Sequence, residues 1–184
     1  MKRIAIAAAL CLATFAASAT EDGQWRVGVA AAFTDFDGDA SFPLEDSTTG
    51  LQIAAQYQFN SWLGAEAAYH NLGDFKSEVN NSGQRKISFT GLSFSVLGYV
   101  PLPEEASDKV DLFAKLGYFD LDVDVTADFT GGLKSAAGHD TGLVVGLGVS
   151  VEISEDFGVR SGFDWYDVDN ADLWSVVLGV EYRF

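Results

Sequence analysis

Six charged residues interrupt stretches that are otherwise apolar or small: Arg26, Glu66, Lys115, Glu152, Arg160 and Asp164. Three are basic and three acidic. Opposite charges removed from water must pair and hydrogen bond, because an unpaired buried ion is costly. The chemistry open to this set is an ion-pair network. It either plugs an interior or, if partners exchange, gates a narrow ion path. Two histidines, His70 and His139, are the other reactive candidates. With a serine and an acid, a histidine can drive nucleophilic catalysis. No H-x-S pattern is present, however, and neither histidine has a hydroxyl at a persuasive strand spacing. Both are expected as loop or rim residues. Asp35-Phe-Asp37-Gly-Asp39 superficially has the spacing of a calcium loop but lacks the downstream glutamate. No catalytic residue, cofactor or metal site is expected.

The segments that carry these charges alternate with a period of two. In the last, Trp174, Val176, Leu178, Val180, Tyr182 and Phe184 share one parity, and Ser175, Val177, Gly179, Glu181 and Arg183 the other. Successive side chains on a strand face opposite sides, so one face is apolar with aromatics at both ends. Seven further segments show the same period: Gln24–Phe33, Leu51–Phe59, Leu63–His70, Lys86–Val100, Val110–Tyr118, Gly142–Ile153 and Phe157–Trp165. In the fourth, Leu92, Phe94 and Val96 form the apolar face, and Tyr99 falls out of phase. Asn60-Ser61 and Ser154-Glu155-Asp156 are tight connections. Thr34–Gly50, Leu72–Arg85 and Asp120–Asp140 read as long polar ones, with Leu121–Phe129 continuing as a strand that rises above a membrane with one solvated face.

Alternation alone does not say which face meets lipid, since a soluble eight-stranded barrel alternates too, with its apolar face inward. Aromatics near the strand ends (Trp25, Phe33, Phe59, Tyr69, Phe157, Trp165, Trp174, Tyr182) suit the girdles of a transmembrane barrel. The other face, rich in glycine, alanine and serine, suits a crowded interior. The fold expected is therefore all-β: an eight-stranded antiparallel up-and-down transmembrane β-barrel. Such a strand needs roughly 9–11 residues to cross. Counted from the short turns, Glu66, Lys115, Glu152 and Arg160 lie within roughly 20 Å of one end at ~3.3 Å per residue, so the count expects them to meet at similar depth.

Export is expected from the first residues. Lys2 and Arg3 precede an apolar run, Ile4–Ala17, and Ala17-Ser18-Ala19 is a cleavage site of A-x-A type. Residues 1–19 read as a cleaved signal peptide and 20–184 as the barrel domain. Cleavage would remove Cys11, the single cysteine of the chain, which leaves no disulfide or cysteine metal site. The formal net charge of −16 argues against nucleic acid as a partner. A composition 48% hydrophobic and 13% aromatic excludes a disordered acidic tail.

Three stretches carry a family resemblance: Gly91-Leu-Ser-Phe-Ser-Val-Leu-Gly-Tyr-Val-Pro-Leu102, Leu112-Phe-Ala-Lys-Leu-Gly-Tyr118 and Leu178-Gly-Val-Glu-Tyr-Arg-Phe184. With them the chain resembles the OmpA-like transmembrane β-barrels, in the broad sense that includes small opacity-type and OmpX-type proteins. The resemblance implies the outer membrane of a Gram-negative bacterium, a luminal ion-pair network, and a terminal Phe184 with Tyr182 as the mark read by the assembly machinery. Larger members continue into a periplasmic peptidoglycan-binding domain, and a cell-wall tether is not expected here. The partners expected are outer-membrane lipid, lipopolysaccharide and the assembly machinery, with the protein a monomer. The role expected is structural or surface-interacting, supporting envelope integrity. A small gated porin is the alternative, and a lipid A-modifying enzyme the third.

Overall fold

A computed structural model describes residues 23–38, 47–79, 83–100, 102, 109–129, 132–168 and 171–184. The expected signal peptide lies outside the described residues, as do Asp39, Glu45 and Asp46 of the first connection. Eight strands follow in order: β1 (Gln24–Gly38), β2 (Ser47–Gln58), β3 (Leu63–Val79), β4 (Gly83–Val100), β5 (Val110–Phe129), β6 (Gly132–Glu152), β7 (Phe157–Val168) and β8 (Ala171–Arg183). Each pairs antiparallel with the next, and β1 closes on β8 from Arg26↔Arg183 to Gly38↔Ala171, giving a closed barrel. The closure leaves no sheet edge in the barrel wall, which is what lets strands satisfy their backbones in lipid.

Strand parity assigns the faces. Leu116, Leu147, Phe94, Val96 and Leu178 point outward and are exposed, while Arg26, Glu66, Lys115, Ser150 and Asp164 on the opposite parity are buried. Tyr99 does not break the phase of β4. It points into the lumen, where it is buried and packs with Leu97 and Phe113. The register pays no penalty for it.

The strands are longer than the lipid requires. β5 and β6 have 20 and 21 residues, about twice the crossing length, and they stay paired from Val110↔Val151 to Phe129↔Gly132. Most of what the sequence suggests as long polar connections is thus paired strand. The signal for the change lies in polarity. On β5, Leu112, Leu116 and Tyr118 face outward with Lys115 inside, whereas beyond them Asp120, Asp122 and Asp124 face outward and Phe119 and Leu121 are fully buried. The apolar face flips from outside to inside where lipid gives way to water, because apolar side chains turn to whichever side lacks water. Above that line, Asp74–Val79 of β3, Gly83–Thr90 of β4, Leu121–Phe129 of β5 and Gly132–Asp140 of β6 form a four-stranded sheet standing over the barrel. A bulge between Asn71 and Asp74 marks its start on β3, and Gly73 takes a φ of 92° there, a left-handed value that glycine adopts without steric cost.

Candidate functional site

The lumen is filled in layers. Nearest the short turns that join β2 to β3 and β6 to β7 lies a cluster of five charges. Arg26 Nη1 sits 2.7 Å from Asp111 Oδ2 and 3.7 Å from Glu181 Oε1. Arg183 Nη1 sits 2.5 Å from Glu152 Oε2, and its Nη2 lies 3.2 Å from Glu181 Oε1. Ser150 Oγ also donates to Glu181. Arg26 and Arg183 are direct cross-strand partners, an arrangement that like charges disfavour. Three carboxylates around them reverse the sign of that interaction.

Leu97, Tyr99 and Phe113 lie above this cluster, with the Arg160 guanidinium 4.2 Å from the centre of the Phe113 ring. That spacing suits a cation–π contact. Next comes a neutral tetrad of two cations and two anions. Lys115 Nζ donates to Asp164 Oδ2 at 2.7 Å and to Glu66 Oε1 at 3.2 Å. Arg160 Nη2 donates to Glu66 Oε2 at 2.6 Å, and Gln56 Nε2 to the same oxygen at 3.0 Å. The side chains of Lys115 and Glu66 are 1% and 0% exposed, so each depends on the other for the charge compensation that water would otherwise supply.

Above the tetrad, His70 is fully buried. Its Nε2 lies 2.8 Å from Ser93 Oγ and its Nδ1 3.2 Å from Tyr166 Oη. In a neutral imidazole one ring nitrogen donates and the other accepts, so one of the two hydroxyls, Ser93 or Tyr166, donates to the ring and the other accepts from it. Tyr166 joins an apolar cluster with Leu72, Phe75, Phe119, Val144 and Leu173, among others, which fills the outer part of the lumen.

The six charges expected to form one network are therefore divided between two. Glu66, Lys115, Arg160 and Asp164 are brought together; Arg26 and Glu152 belong to the cluster beside the short turns, where Glu152 meets Arg183. Counting residues from turns misleads about depth because barrel strands are tilted and staggered. His70 is not a rim residue, and it does have a serine partner, Ser93, which β4 supplies across the register His70↔Gly91. His139 is exposed, as expected of a rim residue, with Asp120 and Asp122 each 3.5 Å from its ring nitrogens. Sequence reasoning left Asp111, Glu181, Arg183, Gln56, Ser93 and Tyr166 outside the network. All but Asp111 are buried, and all share the inward parity, the signal that finds them. Tyr182 and Phe184 stand on the outer surface with ring centres 4.8 Å apart, and Phe184 N donates to Trp25 O. Asp35 continues β1 opposite Ser47. No cluster able to hold a metal occurs among the described residues.

The profile of the family described as "Outer membrane protein beta-barrel domain" matches residues 4–184. Outer membrane protein A of Yersinia pseudotuberculosis is 29% identical over 206 residues, covering 100% of this chain and 56% of that protein. The chain thus spans about half the length of the curated relatives it matches. Among solved structures, Ail, the attachment invasion locus protein of Yersinia pestis in complex with the heparin analogue sucrose octasulfate, superposes with a TM-score of 0.67 at 16% identity, over 89% of this chain and 99% of that one. The outer membrane protein OprG of Pseudomonas aeruginosa gives 0.61 at 17%, over 89% and 96%. At these identities the structural matches speak for the fold alone.

Proposed function

This chain belongs to the outer membrane protein β-barrel family and resides in the outer membrane, and on that premise we propose that it is a sealed barrel that supports the envelope and presents a rigid sheet at the cell surface. The observation that carries this reading is the layering of the lumen. An apolar cluster of fully buried Leu72, Phe119, Leu121, Val144 and Leu173 lies over the tetrad of Glu66, Lys115, Arg160 and Asp164. Ions entering such a lumen would lose their hydration in the apolar layer with nothing to replace it. Its partners in this reading are outer-membrane lipid and lipopolysaccharide, and it reaches the membrane through the assembly machinery with Phe184 and Tyr182 as the signal.

We also read the chain as having no enzyme activity. His70 and Ser93 have the contact that nucleophilic catalysis needs, but they are 0% and 1% exposed; a lipid substrate has no route to them. The ligand in the Ail complex is a polyanion, whereas the surface sheet here carries Asp120, Asp122 and Asp124 on its outer face. That charge disfavours a sulfated sugar at this site.

A gated narrow pore is the second reading, and one feature favours it. A water-sized void in the lumen is lined by Gln56, Val177, Arg160 and Glu181, which places a second carboxylate on the same space as the Arg160 guanidinium. Planar-bilayer recording of the folded protein separates the two readings. The sealed barrel gives no discrete events at neutral pH; channel events that vanish with Glu66→Gln or Arg160→Gln would replace it with the pore.

A further inference from the structure

The sheet that stands above the barrel has two lateral edges, and among the described residues they end differently. On the β3 side, pairing with β2 ends at Leu51↔Asn71 and Asp74–Val79 pair with β4 alone. Here the bulge at Asn71/Asp74 turns the strand, Lys76 is exposed, and Thr48 Oγ1 both accepts from Asp74 N and donates to Asp74 O, each at 3.2 Å. Bulges, charges and capped backbone groups are the usual devices that stop a sheet edge from recruiting another strand.

The β6 side differs. Pairing with β7 reaches only to Val144↔Tyr166, while pairing with β5 runs on without a register shift to Gly132. Residues 132–141 therefore pair with β5 on one side and, among the described residues, with no strand on the other; at Gly142 the Asp167 backbone of β7 still runs alongside. Ser135–His139 are exposed on both faces. The direction of the open hydrogen-bonding groups follows from the turns. Glu152 N donates to Lys109 O on the β5 side, and Ile153 N donates to Phe157 O on the β7 side. Backbone groups alternate along a strand, so Ser135, Ala137, His139 and Thr141 aim theirs at the open edge.

The same residues present small side chains outward, apart from His139, and three of the four have acids as cross-strand partners: Asp124↔Ala137, Asp122↔His139 and Asp120↔Thr141, with Thr126 opposite Ser135. A strand added beside β6 would lie roughly 10 Å from β5, two strand spacings away. Over Ala137 a lysine or arginine can lie flat and reach Asp124.

We propose that residues 132–141 of β6 receive an extended cationic polypeptide segment as an added β-strand, its backbone on Ser135, Ala137, His139 and Thr141 and its basic side chains on Asp122 and Asp124. Main-chain pairing supplies the affinity in such strand addition, and the side chains beside it select the sequence. The inference rests on the surface-display reading, which conductance tests separately; a conducting barrel would overturn that reading and leave this edge as it is.

The test uses the full chain folded in phospholipid nanodiscs, titrated with a synthetic peptide alternating lysine and threonine, and with a glutamate–threonine peptide as control. Ala137→Pro deletes an edge-facing N–H and leaves the ladder to β5 whole, and proline is tolerated on such edges. The lysine peptide should bind with an affinity that falls as salt rises, and amide exchange at Ala137 and His139 should slow. Ala137→Pro should weaken it at least about tenfold, the equivalent of one or two lost hydrogen bonds. Asp122→Asn with Asp124→Asn should weaken it and flatten the salt dependence. If Ala137→Pro fails to fold, the asparagine pair and the amide exchange decide alone. No binding, equal binding by the glutamate peptide, or protection elsewhere than β6 would overturn the proposal.

Discussion

Lys115 and Asp164 occupy one register row of the barrel, two strands apart, with Gly146 between them. Because Gly146 has no side chain, the ammonium and carboxylate meet over its backbone at 2.7 Å. A Cβ on Gly146 would lie 2.5 Å from Asp164 Oδ1, 2.9 Å from Lys115 Cε and 2.8 Å from the Phe163 carbonyl. The ion pair exists because a third residue is missing its side chain.

Gly146→Ala should therefore destabilise the barrel by about 1–3 kcal/mol, the usual cost of forcing atoms into a packed interior. Gly98→Ala is the matched control, since nothing lies within 4 Å of a Cβ there. Urea unfolding in vesicles compares the two. Equal midpoints would mean that the pair tolerates a spacer.

Lys115→Met leaves Asp164 and part of Glu66 without a counter-charge and should cost about 3–5 kcal/mol. Adding Asp164→Leu should recover part of that loss, because the stranded charge goes too. A double-mutant cycle on the same unfolding assay reads the coupling. Additive effects would show that the two side chains do not depend on each other.

Tyr166→Phe removes the hydroxyl that meets His70 Nδ1 at 3.2 Å. A buried ring nitrogen loses its partner, at about 1–3 kcal/mol. The loss should appear as a lower heat-shift midpoint on gels with no change in lipid A composition. A changed lipid A would argue for chemistry at His70 instead.

The polarity flip along β5 places the lipid boundary between Tyr118 and Asp120. Leu116→Arg, deep in the lipid-facing band, should cost about 2–4 kcal/mol, and an arginine near or beyond the interface about 0–1 kcal/mol. Asp122→Arg should thus be nearly silent. A similar cost at both positions would move the boundary outward.

Asp74 and Lys86 form an ion pair at 2.7 Å on the surface sheet. The hydrogen bond from Lys86 holds the Asp74 carboxyl below its ordinary value of 3.8. A carboxyl depressed in the folded state stabilises above its unfolded pKa and loses that contribution as pH falls through the folded value, so the effect fades only below about pH 4. Both side chains are over 40% exposed, which keeps it well under ~1 kcal/mol. A carboxyl titration followed by NMR should move toward the ordinary value in Lys86→Met. An unmoved titration would assign the depression to another group.

Parity along each strand was legible from the residues alone. Side-chain alternation is a local property of extended backbone, so Val176, Leu178 and Val180 on one face and Glu181 and Arg183 on the other follow from the order of residues. Eight such segments with aromatic ends are enough for a barrel, and the lumen-facing parity already contains every charge of the tetrad. The length of β5 and β6 was only half legible, since a strand read by its lipid-facing residues loses its signal where the faces exchange roles at Tyr118 and Asp120.

Depth and partnership were settled by closure. Whether Glu152 meets Lys115 or Arg183 depends on the stagger of eight strands, a quantity no segment carries by itself. His70 illustrates the same limit. Its serine comes from β4 and its tyrosine from β7, 23 and 96 residues away in sequence, and they converge only because the sheet closes. Local alternation decides which way a side chain points; the shear of the finished barrel decides what it finds there.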